Sequence, residues 1–281
     1  MVDATDHFLY ALDHTTYARR HYLSQLLREQ TGSVVQYGLL KGYVFGVSLW
    51  AEAAVGTYLL GTYEAQICAI LDGLKSPRKV LIDIGAADGL YGVGLVAVGA
   101  FCRSLCFEAN ERFRDNLRQA AAAAGVSAQI SIHGTAQLDT IQRAVVESGV
   151  DPANAVVICD IEGGEFELFD EALLNFLSGA HVIIETHDFL YKGELSPASA
   201  LADLKQRASA HFNVHEVKDG MRYLRDVPLL EGWSDADTWT MCMEGRKRMM
   251  TWLYLTPKSE PPLTDEAVDA IIYRYQKQMF A

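Results

Sequence analysis

From Lys79 onward, short β-branched runs alternate with amphipathic helical stretches, and this alternation constrains the fold more than any other feature of the chain. The runs are KVLIDI, SLCFEA, AQISIH, AVVICDI, AHVIIET and FNVHEV, and the stretches between them include ERFRDNLRQAAAAAG and LDTIQRAVVESG. Strands and helices in alternation predict right-handed crossovers and a parallel sheet with helices on both faces. Several runs are continuously apolar instead of alternating, as strands buried on both faces should be. After the sixth run comes an irregular segment from Lys218 to Thr240, followed by MMTWLYLTP, a seventh strand-like run. With no obvious helix between them, the last two strands are expected to pair antiparallel at the end of the sheet.

Ahead of this pattern, residues from about Asp3 to Gln30 are rich in helix formers, with Phe8, Leu12, Leu23, Leu26 and Leu27 at loosely helical spacing before Thr31-Gly32-Ser33 ends it. A helical arm is expected there, packed onto the main body, with a lid or a homo-oligomer contact as the alternatives. The tail from Leu263 to Met279 is also helical in spacing. No internal repeat or low-complexity linker divides the 281 residues. The expected organisation is an N-terminal helical arm or cap over 1–75 and one sheet domain over 76–281.

The charge balance of 24 Lys+Arg against 36 Asp+Glu gives −12, which argues against electrostatic capture of nucleic acid or an anionic membrane. The one basic run, Arg246-Lys247-Arg248, reads as a solvated turn and receives no functional weight. Five cysteines without paired CxxC spacing indicate neither a disulfide framework nor a zinc site, so buried reduced thiols are expected. The first residues lack the basic start and apolar run of a signal peptide, and the most apolar segment, from Val34 to Gly61, is broken by Lys41, Glu52 and glycines. The expectation is a cytoplasmic protein without a membrane span, acting on a small molecule.

The first strand ends in VLIDIGAADGLYG, with Asp83 at its carboxyl end, Gly85 and Gly89 in the turn, and a helix expected from about Leu90. Ligands of open α/β sheets bind just outside the carboxyl ends of the strands. The dinucleotide fingerprint fails here, because Ala87 and Leu90 stand where its second and third glycines belong, and the looser match at Gly92-Val93-Gly94 lies past the turn. A Walker loop is absent. What remains is D-x-G-x-x-x-G with an acid, Glu108, at the end of the next strand in CFEAN. A carboxylate so placed can accept two ribose hydroxyls while the tight loop lets backbone approach the rest of a nucleoside. The alternative is that the glycines only permit tight helix packing and Glu108 ends its strand in solvent.

With these motifs the sequence resembles the class I S-adenosylmethionine-dependent methyltransferases and, within them, the FkbM family. The matching stretches are GTYE, DIGAADGLYG, FEAN, and VVICDIEGGEFELF followed by VIIETHDF, within about Leu59 to the MMTWLYLTP run. The resemblance implies a Rossmann-like, seven-stranded methyltransferase sheet, mostly parallel with the last strand antiparallel, and S-adenosylmethionine as cofactor. It further implies that Asp83, Gly85, Ala86, Asp88 and Gly89 form the floor for the methionine and ribose, and that Glu108 holds the ribose. Ala109 and Asn110 would flank the adenine, His133 to Ala136, Thr135 among them, would close its far side, and Tyr63 and Glu64 would reach the amino-acid end. Glu64 has a plainer alternative as a favourable charge at a helix N-terminus. The implied activity is O-methylation of a sugar-containing or secondary-metabolite acceptor.

The fourth strand delivers Asp160, Glu162 and Glu165, and the fifth delivers Glu185, His187 and Asp188. Methyl transfer from a sulfonium to oxygen requires alignment, proton removal and exclusion of water. His187 is the first candidate base, since an imidazole titrates near neutrality, with Asp160 and then Glu162 assisting; Asp160 also lies where the cofactor's sulfonium is expected. The alternative for Glu162 and Glu165 is a charge complement to a helix started by Gly163-Gly164. A divalent metal held by Asp160, Glu185 and Asp188, with His187 as nitrogen ligand, is the rival and less favoured mechanism. Trp233, Trp239 and Trp252 are candidates for stacking on an acceptor, Trp252 being expected in the core.

Overall fold

The computed structural model describes residues 4–49, 52–219, 227–246 and 248–280. The helices are α1 (Ala4–Thr31), α2 (Val55–Leu60), α3 (Ala65–Leu74), α4 (Gly94–Ala97), α5 (Glu111–Ala123), α6 (Leu138–Glu147), α7 (Glu165–Leu168), α8 (Glu171–Phe176), α9 (Pro197–His211), α10 (Asp235–Cys242) and α11 (Asp265–Gln278). The strands are β1 (Ser76–Ile84), β2 (Phe101–Phe107), β3 (Ile130–His133), β4 (Ala155–Cys159), β5 (His181–Thr186), β6 (Phe212–Lys218) and β7 (Thr251–Pro257). They form one seven-stranded sheet in the order β3-β2-β1-β4-β5-β7-β6. The first five strands pair in parallel, and β7 inserts antiparallel between β5 and β6. This is the seven-stranded, mostly parallel Rossmann-like sheet, with the last strand antiparallel, that the strand pattern and the resemblance led to expect.

The continuous apolar runs are explained by two cores, one on each face. Along β1, Leu81 enters the first core while Val80, Ile82 and Ile84 enter the second; along β4, Val156 and Ile158 are divided in the same way from Val157 and Cys159. Side chains of a strand alternate between faces, so a strand covered on both sides needs apolar residues at every position. The first core also takes Leu23 and Leu27 of α1, Leu59 and Leu60 of α2, Ile67 and Leu71 of α3, and Val268 of α11. Residues before Ser76 thus share a core with the sheet. In α1, Leu23 and Leu27 are buried but Leu12 is exposed, so only the C-terminal half of the expected stripe packs; the Phe8 side chain lies outside the described residues. Arg19 and Asp237 tie α1 to α10 through a bidentate pair.

The helix expected from about Leu90 is shorter than the sequence pattern suggests, because α4 covers only Gly94–Ala97. Gly92 N–H donates to the Asp83 carboxylate at 2.7 Å instead of to a helical carbonyl, and a Cβ at Gly92 would stand 2.5 Å from Cys106 Sγ. Cys68, Cys106, Cys159 and Cys242 are buried as expected, whereas Cys102 is exposed. Among the described residues, no helix is long and apolar enough to cross a membrane.

Candidate cofactor and acid cluster

Strand register brings the motifs to one place. Ile84 pairs with Phe107 on one side and Cys159 on the other, so Glu108 and Asp160 leave the sheet on either side of Gly85. Cys159 pairs with Ile184, which sets Asp160 beside Glu185. Leu81, Cys106, Ile158 and Ile183 all belong to the first core. By the two-residue period, Asp83, Glu108, Asp160, Glu185 and His187 continue on that same face. Five ionisable groups from four strands therefore gather under the helices that precede the sheet.

A cavity of about 690 Å³ opens over these strand ends. Of the sequence candidates, Tyr63, Glu64, Asp83, Gly85, Ala86, Asp88, Glu108, Ala109, Thr135, Ala136, Asp160 and Glu162 line it. Gly89, Asn110, His133, Glu185, His187, Asp188 and the three described tryptophans do not. Gly85 has φ +87°, and a Cβ there would stand 1.8 Å from the Asp160 carbonyl oxygen, so only glycine lets β1 and β4 close at this point.

The glycine turn is tied to its surroundings by carboxylates. Glu108 accepts from Ala87 N at 3.0 Å and from Asn110 N at 2.8 Å, which fixes its carboxylate at the cavity wall. Ala87 itself has φ +40°, a conformation costly for a residue with a Cβ. Asp88 accepts from Ser48 Oγ at 2.7 Å and Leu49 N at 2.9 Å, fastening the segment after α1 across the turn. Asn110 caps α5 by accepting from Arg112 N at 2.9 Å, so its side chain serves the helix and is absent from the cavity wall.

The other end of the cavity is acidic. Burial raises the Asp83 carboxyl to about 7, and burial followed by the Glu64 charge raises Asp160 to about 6. Glu185, behind Asp160, is pushed up to about 11 by burial, Glu64 and Asp160. Glu64 lies at the start of α3 with φ +44° and makes no cap. Its carboxylate accepts from Tyr91 Oη at 2.7 Å and pairs with Arg246, so the simple helix-dipole alternative does not describe it.

Arg246 is the residue that sequence reasoning missed. It is not in a solvated turn: its guanidinium pairs with Glu64, Glu185 and Glu244, the first two only 1% exposed, and lies 5.7 Å from the Tyr63 ring centroid. Lys247 lies outside the described residues, and Arg248 stacks on Phe189 at 4.1 Å. The basic run reads as solvated because its partners are far away in sequence. The usable signal was the acid count at the strand ends, which demands a counter-charge.

His187 is buried beside the cavity and not on its wall. Its Nε2 faces Glu162 at 3.5 Å, Asp160 at 3.7 Å and Glu185 at 3.8 Å, and its Nδ1 lies 3.4 Å from Glu165. Burial alone lowers the imidazole, but Glu165, Asp160 and Glu162 outweigh it and raise its pKa. Glu165 begins α7, yet its fully buried carboxylate accepts from Gly163 N at 2.8 Å and His187 N at 2.5 Å. It links the ends of β4 and β5, a role beyond complementing a helix dipole.

The expected metal set needs one correction. Asp160, Glu185 and His187 each bring one ligand atom within 4.8 Å of the others, and Asp188 is not part of that group. Asp188 begins the turn after β5, where the chain has already left the strand and its face. Of the tryptophans, Trp252 is fully buried as expected, while Trp239 is half exposed and donates to Asp235.

No family model and no curated protein matches the chain. Solved structures that it resembles include an O-methyltransferase from Bacillus cereus in complex with SAH, at 12% identity over 85% of this chain and 91% of that one, with a TM-score of 0.47. A precorrin-6y C5,15-methyltransferase from Geobacter metallireducens matches at 12% over 69% and 87%, TM-score 0.45. TrmK of M. capricolum with S-adenosyl-homocysteine matches at 12% over 71% and 72%, TM-score 0.43.

Proposed function

We propose that the protein is an S-adenosylmethionine-dependent methyltransferase that methylates a hydroxyl of a sugar-containing or secondary-metabolite small molecule. The observation that carries the reading is one continuous cavity, lined by Glu108, Thr135 and Ala136 over β2 and β3 and by Glu64, Asp83 and Asp160 over β1 and β4. A nucleoside with a cationic side arm matches that polarity: its ribose hydroxyls meet the fixed Glu108 carboxylate, and its ammonium and sulfonium meet the acids. A dinucleotide would bring a pyrophosphate to a turn without the second fingerprint glycine and to the four-residue α4. The acceptor class and the choice of oxygen follow the FkbM resemblance.

Held in the cavity, S-adenosylmethionine would supply the methyl group for in-line transfer to the acceptor oxygen and leave as the neutral thioether, and the carboxylates of the inner wall would take the hydroxyl proton. Asp160 and Glu162 stand on that wall, and His187 lies directly behind them. His187 is thereby a positioning group for those carboxylates, in place of the first candidate base. Enclosure by Tyr58, Tyr63 and Tyr91 keeps water from competing for the methyl group.

Titration calorimetry of the full chain with S-adenosylhomocysteine and, separately, NAD tests the cofactor. Binding of the first and not the second is expected. Binding of NAD alone would replace this reading with that of an oxidoreductase.

A further inference from the structure

Between the tips of β4 and β5 the side chains are arranged for a ligand smaller than the cofactor. Asp160 Oδ1 and Glu185 Oε2 are buried and accept no hydrogen bond from a described donor. Glu185 is 1% exposed, and its other oxygen is held by Arg246, so the free oxygen is fixed toward Asp160 and His187. Two carboxylates facing each other in this way need a shared proton or a cation.

His187 adds a nitrogen aimed at the same point. Its Nε2 lies 3.7 Å from Asp160 Oδ1 and 3.8 Å from Glu185 Oε2, separations that small side-chain movements bring to the edges of a coordination shell. Glu165 Oε1 lies 3.4 Å from Nδ1, which makes no hydrogen bond among the described residues, while Nε2 on the far side of the ring faces the two carboxylates. A buried carboxylate beside the far nitrogen of an imidazole is the usual support of a metal-bound histidine. Glu165 is itself fixed by Gly163 N and His187 N.

We propose that Asp160, Glu185 and His187 form a divalent-cation site for Mg²⁺ or Mn²⁺ at the inner wall of the cavity. Two hard carboxylate oxygens suit these ions, the imidazole being the softer third ligand, with water or an acceptor hydroxyl completing the shell. The site stands on this geometry alone; its role in the reaction rests on the methyltransferase reading. There the cation lowers the pKa of the bound acceptor hydroxyl, and Glu162, 48% exposed at its side chain and facing the cavity, takes the proton while Asp160 serves as ligand.

The test uses the full chain, freed of metal with EDTA and titrated with Mn²⁺ by equilibrium dialysis and electron paramagnetic resonance. One Mn²⁺ per chain is expected, with nitrogen modulation from a coordinated imidazole in the spin-echo spectrum. Glu185→Gln and His187→Ala should each weaken binding at least tenfold, His187→Ala should abolish the nitrogen signal, and Asp188→Ala should change neither. The wild-type nitrogen signal needs no variant and so survives any folding defect in one. A folded wild-type chain that binds neither Mn²⁺ nor Mg²⁺, or Mn²⁺ binding that persists unchanged in both ligand variants, would overturn the site. S-adenosylhomocysteine titration of the same samples separates the two claims: Mn²⁺ binding without cofactor binding upholds the cation site and removes its role in methyl transfer.

Discussion

The two ends of the cavity are built on opposite principles. Over β2 and β3, the carboxylate of Glu108 is held by backbone N–H groups, and the neighbouring Asn110 caps a helix. Over β4 and β5, Asp160, Glu162, Glu165 and Glu185 crowd around one imidazole, and the nearest guanidinium comes from Arg246. The first end is preorganised by local hydrogen bonds and is nearly complete. The second is held together by charges from distant parts of the chain and gains most from a cationic ligand.

Breaking the distant charge should have the largest effect. Arg246→Ala leaves Glu64 and Glu185 buried without their counter-charge, and loss of one partner from such a pair costs about 3 kcal/mol or more; a fall in unfolding free energy of that order is expected by denaturant titration. An equal loss on Arg246→Lys would show that the bidentate fork, not the charge, is what matters. At the preorganised end, Glu108→Ala should leave stability nearly unchanged and weaken S-adenosylhomocysteine binding by about 10- to 100-fold, the range for a charged hydrogen-bond pair. Unaltered affinity in calorimetry would show that the ribose is not held there.

Asp83 lies between the two ends and supplies a pH test. Its folded carboxyl is raised to about 7 from an ordinary 3.8, so between those values the native state holds a proton that the unfolded state has released. Its contribution to stability is therefore full below about pH 4 and is lost as pH rises through 7. Asp83→Asn removes that loss while keeping an acceptor for Gly92 N. Relative to wild type the variant should gain on the order of 2 kcal/mol between pH 4 and pH 6 in paired melts, and parallel pH profiles would count against the protonated form. Asn110→Ala should have the smallest effect, about 1 kcal/mol of stability from the lost cap of α5, with cofactor affinity unchanged by calorimetry.

The legible features were those set by local pattern. Continuous apolar runs gave away a sheet covered on both faces, and D-x-G-x-x-x-G with Glu108 marked the strand ends that the cavity overlies. Asp160, Glu185 and His187 could be named because the two-residue period and strand order bring them to one edge. What stayed hidden depended on partners distant in sequence or on backbone geometry. Arg246 meets Glu64 across 182 positions, and nothing in its basic run announces this. His187 could be placed at a strand end, but which atoms face the cavity depends on the path after the strand, set here by the Glu165 carboxylate. Asn110 falls within a matched motif, yet its local extended backbone makes it a cap.

The insertion of β7 between β5 and β6 also orders events during synthesis. Glu185 leaves the ribosome 61 residues before Arg246, and the strand that Arg246 introduces cannot join the edge of β5 until the chain has run out to β6 and returned. A nascent chain therefore exposes the strand edge of β5 and its acidic tip together, and both are covered in a single late step. The charge that would repel another chain at that edge is neutralised only when the edge itself disappears.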